Sequence, residues 1–187
     1  MFKFTAINGN DLDKINEIRE RQPQQTLASL DGDGGGGQHL VMPHEAFTVG
    51  LSSLQQEGNP MPEASGLRVI DADGANFKSI FDLAETGGTA KEPQKLLDET
   101  FLNNYKRAFA RMFGSGMEAR NFEVRSLKIP ALHVDAIWLH KDNDDLYIPI
   151  QSMGLFDDDQ VYQKKDFFDK LKTAAKAYDF SNEEMGG

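Results

Sequence analysis

The 187 residues carry 20 lysines and arginines against 30 aspartates and glutamates, a formal net charge of −10, and contain no cysteine. That balance disfavours nucleic acid and anionic membranes as partners. The missing thiols exclude disulfides, thiolate nucleophiles and cysteine-held zinc or iron–sulfur centres.

The first residues, MFKFTAINGNDLDK, turn polar too soon to form the apolar stretch of a secretory signal. No run approaches the ~18 consecutive apolar residues of a membrane span. The expectation is a cytoplasmic protein. Hydrophobic residues at 39% and thirteen phenylalanines suffice for one packed core, so residues 1–187 are expected to form a single domain.

Alternation over residues 2–7 predicts a short strand, closed by the turn chemistry of NGN at 8–10. Leu12, Ile15 and Ile18 then form a helical stripe from about Asp11 to Glu20, capped by Asn10 or Asp11 and ended by Pro23. Residues 24–66 show little periodicity; two short strands are expected there, together with a flexible glycine-rich loop at 31–38. GLRVI at 66–70 predicts a strand and DADG at 71–74 a turn. Phe77, Ile80, Phe81 and Ala84 fit a helix, with a returning hairpin strand as the alternative.

The clearest helix is predicted over about 93–113, where Leu97, Phe101, Tyr105, Ala108, Phe109 and Met112 recur every three or four residues. Core strands follow at about 121–129, 131–140 and 146–150, with Pro130 breaking the first pair. A last amphipathic helix is predicted over about 163–178. Hairpin-linked strands without regular βαβ alternation indicate an α+β fold, an antiparallel sheet with these two helices packed on one face.

Candidate chemistry begins with DGDGGGGQHL at 31–40. Asp31, Asp33 and Gly36 match the opening of an EF-hand loop, but the twelfth position is Met42 instead of the required bidentate acid. A loop begun at Asp71 fails at Ala75 and Asn76. Two aspartates and no lysine also argue against a phosphate cradle. Alternation along a strand over 131–140 places His133 and Asp135 on one face, where an aspartate can orient an imidazole, or where both can join His44, Glu45 or His140 on a metal. The ordinary alternative is the polar side of a half-buried strand.

Arg107 and Arg111, with Lys106, Arg120, Arg125 and Lys128, belong to the one basic stretch of the chain: residues 101–140 hold six basic and three acidic side chains. They suit either an anion patch or pairing with the acidic segments. Acidic runs at 142–145 and 157–159 suit solvated turns or a cation. GSG at 114–116 suits a helix-ending turn more than a nucleophile elbow.

No cofactor or metal is assigned, and the candidate binding residues are His133, Asp135, His140, Arg107 and Arg111. The leading expectation is a non-catalytic acidic protein that binds a protein partner of basic character, as an accessory, inhibitor or immunity-type module. The alternatives are a metal-assisted hydrolase of a small polar substrate built on His133 and Asp135, and a small-molecule sensor. Self-association stays open.

Overall fold

The computed structural model describes residues 1–21, 39–73, 76–86, 89–90, 94–96, 98–142, 144–157 and 159–183. The glycine-rich loop expected at 31–38 lies outside them. The strands β1 (His39–Thr48), β2 (Glu63–Asp73), β3 (Asn76–Thr86), β4 (Thr89–Ala90), β5 (Gln94–Leu96), β6 (Glu123–Ile129), β7 (Val134–His140), β8 (Leu146–Gln151) and β9 (Tyr162–Gln163) join in one sheet. Its order is β4-β3-β2-β1-β6-β7-β8-β9, with β5 also paired to β3. All pairings are antiparallel except β1 with β6. The helices are α1 (Gly9–Arg21), α2 (Leu51–Gln55), α3 (Glu99–Gly114) and α4 (Lys164–Glu183). The α+β class and the antiparallel core at β6, β7 and β8 are as expected.

The two long amphipathic helices divide between the faces of the sheet. Tyr105, Phe109 and Met112 of α3 pack with Ile70, Ile80, Ile137 and Ile148 on one face. Phe167, Phe168 and Leu171 of α4 pack with Leu127, Ala136, Trp138 and Tyr147 on the other. On that second face Ile15 of α1 covers Val69, Phe81 and Leu83.

Double coverage explains why one expected helix is a strand. Residues 76–86 form a strand, the hairpin alternative, and not a helix. Ile80 points to α3 and its neighbour Phe81 to α1, so apolar residues fall on consecutive positions and hide the two-residue period. Likewise β1 is one strand of ten residues where two short strands are expected within 24–66, and β2 runs eleven residues where GLRVI at 66–70 predicts a shorter one.

Smaller differences have local causes. Helix α3 starts at Glu99, later than predicted, because Asp98 accepts hydrogen bonds from the N–H groups of Thr100 (2.8 Å) and Phe101 (3.3 Å). Helix α1 is capped by Asn8, whose side-chain oxygen accepts from Asp11 N–H at 2.9 Å. The N-terminal segment makes a single bridge, Lys3 with Glu123, and wedges between the diverging ends of β1 and β6, where Thr5 N–H donates to the Pro43 carbonyl at 3.0 Å. Beyond Pro130 the chain makes a short turn, and His133 adopts left-handed φ (50°) before β7 begins at Val134. Gly116, at φ 73°, turns the chain after α3 as the GSG reading anticipated. Among the described residues, no helix is long and apolar enough to cross a membrane.

Candidate functional site

Sheet register lines up a polar belt on the α3 face of an otherwise apolar sheet. Asp82 of β3 lies opposite Arg68 of β2, and Arg68 lies opposite His44 of β1. On the other half of the sheet, Lys128, Asp135 and Gln151 are successive cross-strand neighbours on β6, β7 and β8. A β-bulge follows Asp135, where Pro149 faces Ala136 and has no N–H to give to a ladder.

Arg68 is the centre of the belt, with its side chain 1% exposed. Its Nε and Nη2 grip Asp82 in a bidentate pair (2.7 and 3.0 Å), and its Nη1 donates to Asp135 Oδ1 at 2.7 Å. The guanidinium carbon stands 5.4 Å from the centre of the Phe101 ring and 5.5 Å from that of Tyr105. Lys128 completes the cluster, its Nζ donating to Asp82 Oδ2 at 2.5 Å.

Burial opposes the charge on Arg68, yet Asp135, Tyr105 and Asp82 hold it protonated well above its ordinary range. The two carboxylates separate. Burial pushes Asp82 up, but Arg68 and Lys128 outweigh it and bring the group down to about 2. For Asp135 burial prevails over Arg68, and its affinity for a proton is raised.

The cluster forms the floor of a cleft of about 300 Å³. Asp98 and Phe101 at the start of α3, Leu96 of β5 and Gln151 of β8 complete its lining. Lys128 and Asp135 reach it with side chains 27% and 14% exposed. Among the described residues only Oδ1 of Asp135 is engaged in a hydrogen bond.

Behind Arg68, His44 is fully buried. Its Nδ1 lies 3.1 Å from the Met42 carbonyl, which can only accept, so Nδ1 carries the proton and Nε2 accepts. Nε2 meets Ser126 Oγ at 2.8 Å and Tyr105 Oη at 3.1 Å, and the two hydroxyls are 2.8 Å apart. Burial, reinforced by Arg68, lowers the His44 pKa to about 3, while burial raises Tyr105 to about 12. A serine against a neutral imidazole is the pairing of nucleophilic catalysis. Here Ser126 and His44 are both wholly enclosed, and a backbone carbonyl stands where a triad would place a carboxylate. The trio anchors α3 to β1 and β6.

No family model, curated protein or solved structure matches this chain.

The residues singled out in the sequence scatter over this frame. Asp135 and Lys128 enter the cleft. His133 is the exposed turn residue before β7 and shares no strand face with it. His140 pairs with Asp145 at 2.7 Å; Asp145, 4% exposed, also accepts from Trp138 Nε1 (2.9 Å) and Lys164 (3.0 Å). Asp145 thereby ties the β7–β8 turn to α4, and those hydrogen bonds overcome its burial and lower its pKa. His44 lies buried in the trio, away from a shared metal position. Among the described residues, no three histidine or carboxylate side chains are grouped to hold a metal.

The basic residues mostly pair with acids. Arg111 pairs with Asp159, Arg120 with Asp144, and Arg125 with Glu123 at 2.9 Å. Arg107 donates to Asn104 at 2.5 Å. Arg68 and Tyr105 carry no functional reading in the sequence, Asp82 enters only as the twelfth position of the incomplete cation loop begun at Asp71, and Ser126 only as one of several serines given no nucleophilic role. The signal for Arg68 and Asp82 was a charge inside an apolar strand, Arg in GLRVI and Asp in IFDL: such a residue must find a partner when both sheet faces are covered.

Proposed function

We propose that this protein is a non-catalytic binding module that takes a small polar molecule into the Arg68 cleft. The observation that carries this reading is a fully buried arginine, held in fixed orientation by two carboxylates, at the floor of an opening that Lys128 and Asp135 also reach. Stability alone does not call for such a cluster, since buried ion networks stabilise no better than apolar packing of similar volume. A cleft of about 300 Å³ sits at the lower end of ligand pockets, about 300–1,000 Å³, and suits a metabolite-sized guest.

The test is a thermal-shift screen of the full chain against sugars, nucleosides, amines, organic acids and amino acids. A hit that stabilises the protein and loses its effect in Lys128→Gln supports the cleft. Hits unaffected by that substitution, or none in any class, refute it.

The net charge of −10 supports a second reading, recognition of a basic protein partner through exposed carboxylates such as Asp166 and Asp169 of α4. Affinity that weakens steeply with salt and with charge reversal on α4 would distinguish it.

A further inference from the structure

The cleft presents both signs of charge at close quarters. Lys128 and Asp135 are register neighbours on adjacent strands, hence about 4.8 Å apart along the hydrogen-bonding direction. Gln151 extends the row on β8, and Asp98 stands above it at the start of α3. Arg68 spends three of its five N–H groups on Asp82 and Asp135 and, with its side chain 1% exposed, presents little surface to a guest, so the side chains best placed to bind are Lys128, with two further N–H groups, and Asp135, with its second carboxylate oxygen.

We infer that the cleft selects a small zwitterion of the α-amino acid class. This rests on the ligand-cleft reading above and adds the chemistry of the guest. The ligand carboxylate accepts from Lys128. The ligand ammonium donates to Asp135, with Asp98 and the Gln151 amide oxygen as further acceptors. The side chain of the guest lies against Phe101 and Leu96, the apolar part of the lining.

The formal charges explain why one sign alone suits the site less well. Arg68 and Lys128 oppose Asp82, Asp135 and Asp98, leaving a formal excess of one negative charge, so a monoanion meets net repulsion and a simple amine leaves Lys128 unanswered. A molecule with both charges on one carbon satisfies both. The raised proton affinity of Asp135 points the same way, because an ammonium beside it relieves the burial of its charge.

Isothermal titration calorimetry of the full chain tests this with glycine, leucine, glutamate, lysine and phenylalanine, each beside its α-amide and its Nα-acetyl derivative. At least one free amino acid is expected to bind, with its amide and its acetyl derivative each weakened tenfold or more. Lys128→Gln is expected to weaken the free amino acid tenfold while leaving its amide unchanged, and Asp135→Asn to weaken the free amino acid while leaving its acetyl derivative unchanged. Circular dichroism confirms that both variants fold.

An amide that binds as well as the free acid, or an acetyl derivative that binds as well as the free amine, overturns the zwitterion assignment and leaves the cleft reading standing. Binding by none of the fifteen compounds, with a Lys128-dependent hit from another class, has the same consequence. No binding and no such hit overturns both.

Discussion

The buried His44 makes folding stability depend on mild acid in a way that one substitution isolates. The native imidazole refuses a proton until about pH 3, whereas the unfolded chain takes one up near 6.5. Between those values the unfolded state binds more protons, so stability is complete above about pH 6.5 and falls as pH drops towards 3. The limiting slope is about 1.4 kcal/mol per pH unit, and integration from pH 7.5 to pH 5 gives a loss of about 2 kcal/mol from this residue. His44→Gln removes the titration and keeps an amide that can face the Met42 carbonyl and the two hydroxyls. Urea unfolding of both proteins at half-unit steps gives the difference between their unfolding free energies. The other three histidines and Asp135 are common to both proteins and largely cancel. Asp82 titrates lower, its contribution being present above 3.8 and lost towards 2. The expected result is a wild-type advantage that shrinks by about 2 kcal/mol across the interval. Parallel curves would refute the argument, since they would mean that His44 titrates in the folded protein as it does in the unfolded chain.

Four further outcomes are expected. Arg68→Met leaves Asp82 and Asp135 buried without their main partner and should cost about 3–5 kcal/mol in urea unfolding; a loss below about 1 kcal/mol would show the cluster to be hydrated. Asp135→Asn retains an acceptor for Arg68 and removes the group whose folded pKa is raised. Because that group favours the native state as it takes up its proton, wild type should gain on the variant as pH falls through the native pKa, and stability curves that stay parallel on acidification would contradict this. Tyr147 Oη is buried and has no hydrogen-bond partner among the described residues, so Tyr147→Phe should be neutral or stabilise by about 1 kcal/mol, and a clear loss of midpoint would reveal a partner. Gly116→Ala should cost about 1–2 kcal/mol through its left-handed φ of 73°, because its surroundings leave space for a methyl group; an unchanged urea midpoint would contradict that.

Fold and site differ in how far the amino-acid pattern discloses them. Helix α3 follows from periodicity, as with the stripe from Phe101 to Met112, whereas β7 and β8, covered on both faces by α3 and α4, are legible as apolar runs rich in branched and aromatic residues on either side of the KDNDD turn. Strand β3 evaded that logic because α1 and α3 bury its opposite faces, and a residue pair such as Ile80 and Phe81 is equally apolar on either assumption. Class and core therefore emerge from local signals, while the placement of helices on two faces depends on which strands meet across the parallel β1–β6 pairing.

That same pairing assembles the candidate site, and it explains why the sequence pointed to His133 and not to Arg68. Period-two reasoning joined His133 to Asp135 by assuming an unbroken strand, but Pro130 starts a turn that lifts His133 out of it. The partner Asp135 does acquire is Arg68, 67 positions away, brought near only when β6 and β7 are laid beside β1 and β2. Local spacing has no means of expressing such a contact. An isolated charge in an apolar strand does carry information, since its desolvation has to be met by an opposite charge somewhere in the fold. Arg68, Asp82 and Asp135 each lie in such a strand, and their convergence beneath α3 is what distinguishes this cleft from the ion pairs spread over the rest of the surface.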